Sequence, residues 1–373
     1  MAQNFLAILI LCSILVGAEA RYRSTGQFQE WYPEYGPIFT RIRDDNCSAE
    51  FQNYLDGVNN ISIEKLESQG GSEHSRFVQP VMLCILDHTN EYVKAGMSSA
   101  QVILGITPSI LSIMGPSSEE FATLSVVGMR PILSSLLAVA APSVFSSRAF
   151  EMVQPRDVLG SGRGSSFSNG RITWKRRALV LGEYLLVLSA LGNTGLLSYQ
   201  AGIRTANPIS GNFVFFPAVW AAMAVPIHVT AVVLVRLRAR LVSKNPPGFW
   251  ARELCLPSEP ASIFVQWGEK TKGFVAGGWL HSIFIIGHLI FGTVIFSSLQ
   301  FIGQADAIGV LGRYMASVLV CRMVLMYELA LLGKRHIAVD MGEKAYREVP
   351  AASEDDGRHS LVQPAIFEGR TGI

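Results

Sequence analysis

The chain has 373 residues, of which 49% are hydrophobic and only 16% charged, and its formal net charge is +2. Soluble domains carry roughly a quarter charged residues, so this chain has too little polar surface to cover itself in water, and its mean hydropathy of +0.31 points to a lipid bilayer. The small net charge, with basic residues in loops and not along one helical face, excludes a nucleic-acid partner.

Residues 1–20 read as a secretory signal. Phe5 to Val16 is a short apolar run, and Ala18-Glu19-Ala20 supplies a small-x-small cleavage pattern. Such a run is too short to cross ~30 Å of hydrocarbon. A luminal or extracellular cap, residues 21–94, follows. Its aromatics Phe28, Trp31, Tyr32, Tyr35, Phe39, Phe51 and Tyr54 predict a small helical cap that is not self-sufficient as a domain. Cys47 and Cys84 are the only cysteines in this stretch, so an oxidising compartment predicts one bridge between them. Cys255 and Cys321 are expected as free thiols. Asn46-Cys47-Ser48 and Asn60-Ile61-Ser62 match the glycosylation acceptor pattern, which marks Asn46 and Asn60.

Residues 95–147 contain two apolar runs, Met97–Met114 and Pro131–Phe145, separated by Glu119, Glu120 and Arg130. Pro108, Pro116, Pro131 and Pro142 punctuate the stretch, and the second run is short for a span. The pattern predicts one crossing plus a re-entrant or interfacial half-helix. A basic linker, 148–177, leads into a four-helix region, 178–333, with spans at Ala178–Tyr199, Phe213–Val235, Phe274–Ser297 and Tyr314–Gly333. Pro217 and Pro226 predict a kink in the second of these.

Loop charge sets the orientation. Residues 148–177 and 236–272 hold seven Lys/Arg each, whereas 201–212 and 302–313 hold one each. The positive-inside rule places the rich loops, and the tail 334–373 that opens with Lys334-Arg335, in the cytosol. The tail is expected to be disordered from Tyr346. The expected fold is all-α: a polytopic transmembrane bundle of five crossings, or six if one loop is misassigned, under a small luminal cap. The expected location is the plasma membrane or an endomembrane, with anionic lipid head groups against the basic loops; the sequence names no protein partner.

From Cys84 to Pro142 the chain carries Glu91, Lys94-Ala95, Val102 to Leu111, Gly115-Pro116-Ser117, Glu120 and Arg130-Pro131. In these residues it resembles a group of uncharacterised multi-pass membrane proteins of filamentous fungi. The resemblance implies a fungal source and a polytopic fold in which the Pro/Gly-punctuated segment is a built feature; it implies no activity.

Ionisable side chains inside spans cost from ~2.5 kcal/mol upward near the centre, so each needs a partner or a purpose. Here they are Glu183, His228, His281, His288, Arg322 and Glu328, with the polar Asn193. Glu183, His228, His281 and Glu328 fall at similar depth from the cytosolic side, and His281 and His288 share a helix face. One expectation is polar glue, with Arg322 on a neighbouring carboxylate and histidines bonded across helices. The second is a proton or ion pathway, with Glu183 and Glu328 as carriers and the histidines as relays. A sensor, receptor or scaffold acting through the cap is a third, and a haem or metal site on His228 and His281 a fourth. No cofactor is called for: no hydrolase, zinc or nucleotide motif rises above chance. The Asp87-His88 dyad is expected at the surface.

Overall fold

The computed structural model describes residues 25–58, 62–71, 75–142, 144–145, 174–208, 214–242, 248–254, 264–268 and 271–347. The signal segment 1–20, Asn60, the linker up to residue 173 and the tail beyond 347 lie outside the described residues.

The cap contains α1 (Gly36–Asp45), α2 (Ser48–Asp56), α3 (Ile63–Ser68) and α4 (Val78–His88). Pro37 starts α1, where its missing N–H costs nothing. Gly57 ends α2 at φ 74, a left-handed conformation open to glycine. The disulfide joins Cys47, just before α2, to Cys84 on α4. Phe28, Phe39 and Tyr54 pack with Val78, Val81 and Ile85, and this core is completed by Ala206 and Phe301 from the bundle. The cap is therefore one half of a core whose other half arrives some 250 residues later.

Five helices are long and apolar enough to cross a membrane. They are α5 (Glu91–Met114), α8 (Trp174–Ile203), the broken pair α9 (Phe216–Ala222) and α10 (Ala224–Arg238), α12 (Lys272–Ser297) and the long α13 (Gln304–Arg347). The protein is an integral membrane protein. Asn90 caps α5 and Thr271 caps α12, each accepting from a backbone N–H three residues on. The break at Met223 has a local cause: Pro226 cannot donate to Ala222 and its ring crowds that carbonyl. Where the helices cross closely, small residues stand: an added Cβ on Gly105 of α5 would lie 2.9 Å from Ser297 of α12.

The rest of this segment is a helical hairpin. α6 (Ser118–Val126) opens on a capping box of Ser117 and Glu120 and packs Ala122 and Val126 against Ala231 and Val235 of α10. The chain reverses at Gly128-Met129-Arg130, with Met129 at φ 55, and α7 (Pro131–Ala140) climbs back until Ala140 accepts from Thr194 of α8. Phe145 then lies beside Ser117, closing the hairpin. Among the described residues the segment thus holds one helix long and apolar enough to cross a membrane, α5, followed by two shorter ones.

The last span and the basic loop after α10 depart most from the sequence expectation. The last span starts at Gln304, ten residues before Tyr314, because its first turn is capped from the cap region: Glu34 accepts from Ala305 and Asp306 backbone N–H groups, and Asp306 accepts from the Glu34 N–H. The same helix continues to Arg347, past the expected end at Gly333. The basic loop after α10 holds a short antiparallel pair, β1 (Ala239–Val242) and β2 (Phe264–Trp267), flanking α11 (Phe249–Leu254).

Candidate functional site

The most concentrated charge in the bundle gathers on Arg130. The reversal between α6 and α7 turns this residue inward, and its Nη1 lies 3.0 Å from Glu183 of α8 and 2.8 Å from Glu328 of α13. The contact to Glu183 is a hydrogen bond; that to Glu328 is a close charge contact off the hydrogen-bonding direction. Arg130 is 1% exposed, Glu183 6% and Glu328 1%, so water does not screen them. The guanidinium also lies over the Tyr184 ring at 5.8 Å. Glu253, 1% exposed on α11, reaches the same place from outside the spans. Its carboxylate accepts from the Tyr184 hydroxyl at 2.7 Å and from the Leu133 N–H at 2.8 Å, serving the first turn of α7. One cation thus stands between two buried carboxylates, with a third, Glu253, one side chain further through Tyr184. Nε and Nη2 of Arg130 and Oε1 of Glu183 have no hydrogen-bond partner among the described residues.

Glu328 lies 24 residues below the start of α13, ~36 Å at 1.5 Å per residue, so the cluster belongs to the end of the bundle away from the cap. That end is ringed by exposed Trp174, Trp250 and Trp279, and Tyr92 and Tyr199 stand exposed near the cap, as aromatic side chains do at the two membrane interfaces.

A second ion pair is less enclosed. Arg322 of α13 donates to Gly115 carbonyl and Glu120, both at 2.9 Å, and Glu120 also accepts from the Ser117 N–H at 2.7 Å. Arg322 therefore ties the end of α5 and the start of α6 to α13, on the neighbouring carboxylate that the polar-glue expectation required.

The histidines form a separate group. His281 Nε2 lies 2.9 Å from Ser118 Oγ and its Nδ1 2.8 Å from Thr230 Oγ1. His288 Nε2 donates to the Trp220 carbonyl at 3.0 Å, and the two rings stack at 5.2 Å. His228 meets Phe121 edge-on at 6.1 Å. With both ring nitrogens of His281 engaged, it offers no free ligand to a haem or metal. Asn193 lies elsewhere again: it donates to Arg313 carbonyl and Ser317, and accepts from Arg313, holding α8 to α13 nearer the cap. The expected layer of Glu183, His228, His281 and Glu328 is thus two clusters, carboxylates on Arg130 and histidines around Ser118.

In the cap, the Cys47–Cys84 bridge is formed, with Asn46 exposed beside it and Asp87 and His88 at the surface. His88 lies 4.0 Å from Cys84 Sγ, but the joined sulfurs offer no thiolate for a metal. Cys321 is a buried free thiol on α13. Burial pushes the Tyr32 phenol up to about 12, with the Arg204 guanidinium over its ring opposing the shift.

Sequence reasoning missed Arg130, Tyr184, Glu253, Ser118 and Thr230 as members of these clusters. The available signal was Arg130 next to Pro131: a charged residue between two apolar runs. No family model, curated protein or solved structure matches this chain.

Proposed function

We propose that the protein handles protons or a small cation through the Arg130–Glu183–Glu328 cluster at the end of the bundle away from the cap. The observation that carries this reading is the charge count. With every group ionised, one guanidinium cannot neutralise Glu183 and Glu328 together, and Glu253 adds a third carboxylate. A buried cluster of this kind favours uptake of a proton or cation that completes it.

The charged end is taken as cytosolic and the cap as luminal or extracellular. An odd number of spans between the cap and the 334–373 tail supports this, because the Lys/Arg-rich loops then share one side. The secretory signal, glycans on Asn46 and Asn60, and anionic head groups at the basic loops belong to the same proposal, as does kinship with the fungal multi-pass proteins. The test is proton flux in sealed vesicles carrying the purified chain. Wild type should dissipate an imposed pH gradient, and Glu183→Gln or Glu328→Gln should each abolish that flux. Folded protein that moves no protons or monovalent cations over a broad pH range would return the cluster to a structural role.

A second reading, a sensor acting through the cap, is favoured by one observation. Glu34 of the cap seats on the first turn of α13, the helix that carries Glu328 into the cluster. Cap-dependent binding of a secreted or cell-wall component, without flux, would select it.

A further inference from the structure

Between α6, α7 with the residues that follow it, and α10 lies a void with room for about one water, walled by Ala138 and Ala141 and bordered by Ser118 and His228. His228 is 5% exposed, and its Nδ1 has no hydrogen-bond partner among the described residues. A buried imidazole nitrogen left bare in hydrocarbon costs a full desolvation penalty, so a polar occupant of the void is favoured.

The hydrogen bonds on the far side of Ser118 fix their own direction. Thr230 donates its single hydroxyl proton to the Ile227 carbonyl at 2.8 Å. Its oxygen can then only accept from His281, so His281 carries its proton on Nδ1. His281 Nε2 is left with a lone pair, and Ser118 Oγ donates to it at 2.9 Å. The Ser118 oxygen keeps its acceptor capacity, and Ser118 lines the void. Glu119, 0% exposed, lies beside it: its Oε2, 3.3 Å from Ser118 Oγ, is a second and longer acceptor for the one Ser118 proton, which the 2.9 Å contact to His281 Nε2 holds.

We propose that the void binds a water that joins His228 Nδ1 to Ser118 Oγ and makes His228, water, Ser118 and His281 one proton relay. A proton arriving on His228 leaves Nδ1 for the water oxygen. The water passes a proton to Ser118 Oγ as Ser118 releases its own to His281 Nε2. Only N–H and O–H bonds are exchanged, and no oxidant or co-reactant is needed. The imidazolium formed on His281 donates from both nitrogens, to Thr230 and Ser118, with the Glu119 carboxyl nearby. The relay stands apart from the Arg130 cluster and does not depend on it.

The experiment is water-edited magic-angle-spinning NMR of the full-length chain in lipid nanodiscs, with 15N,13C-labelled histidine. In wild type, His281 should be protonated at Nδ1, and water magnetisation should reach both the His228 and His281 rings. Ser118→Ala should lose the transfer to His281 and keep that to His228. Ala141→Leu, which fills the void, should lose both, while the unchanged His288 signal reports a folded bundle. The proposal is overturned if no water signal reaches His228 in wild type, if His281 carries its proton on Nε2, or if His281 keeps its water contact in Ser118→Ala. None of these readouts depends on flux through the vesicle membrane, so this result and the flux result fail separately.

Discussion

The two ends of the molecule solve opposite problems. At the cap end the interior is aromatic, with Phe28, Trp31, Phe39 and Phe301 meeting at ring distances of 5.2–6.1 Å, and the ion pairs stay at the rim, as Arg204–Glu30 does. At the far end the order is inverted: the charges of Arg130, Glu183, Glu328 and Glu253 lie inside and the tryptophans outside. The cap faces water, so removing apolar surface from solvent drives its assembly. Lipid supplies no such drive between helices, so close packing and internal polar contacts must decide which helices touch. A buried ion cluster is therefore expected to matter more to the bundle than any charge matters to the cap.

The largest test of that contrast is Arg130→Leu. It leaves Glu183 and Glu328 facing each other without a cation, and breaking a buried pair from one side costs about 3–5 kcal/mol. Thermal unfolding in nanodiscs should show a large fall. Adding Glu183→Gln and Glu328→Gln to the same chain should restore most of the loss, because the uncompensated charge has gone. If the triple variant is no better than Arg130→Leu, volume and not charge is what Arg130 contributes. Next comes the disulfide. Cys84→Ser opens a loop whose ends are 37 residues apart, a loss of about 4 kcal/mol in the chain-entropy model. Limited proteolysis should then cut within residues 25–88, with α8 to α13 still protected. Protection lost throughout would mean that the cap and bundle unfold as one unit.

Glu34→Ala sharpens the comparison at the joint between the two regions. It removes the carboxylate that caps α13 and should cost about 1 kcal/mol, the usual value of a helix N-cap. Hydrogen exchange at Ala305 and Asp306 should rise, with the amides around Leu325 unchanged. A rise that extends to Leu325 would show that the cap and the Arg130 cluster communicate along α13.

The same physics explains what was legible in the sequence. Four of the five spans could be placed because ~20 apolar residues between basic loops leave few alternatives. The half-helix at Pro131 was readable for the same reason, being too short to cross. Cys47–Cys84 followed from a count of two. The start of α13 was not readable, because its first turn is polar and its cap residue, Glu34, comes from 270 residues earlier in the chain. Arg130 was missed for a related reason: its sequence neighbourhood reads as a loop, and only the reversal at Met129 turns it inward between α8 and α13. His281 and His288 were read as sharing a helix face, but their partners Ser118 and Trp220 could not be inferred from spacing on their own helix.

The smallest single effect is expected at Arg322, where charge and burial are both moderate. The Arg322 and Glu120 side chains are 34% and 20% exposed, so their 2.9 Å ion pair is partly screened. Arg322→Gln should lower stability by about 1 kcal/mol or less, because the amide can still donate to Gly115 carbonyl. Glu120→Ala should cost more, about 1–2 kcal/mol, since it also removes the capping box that starts α6. A double variant separates the two contributions: if the pair itself is weak, its loss should nearly equal that of Glu120→Ala alone plus that of Arg322→Gln. A coupling as large as that at Arg130 would show instead that lipid around this site excludes water as fully as the protein does at the buried cluster, and the contrast between enclosed and half-open charge would fail.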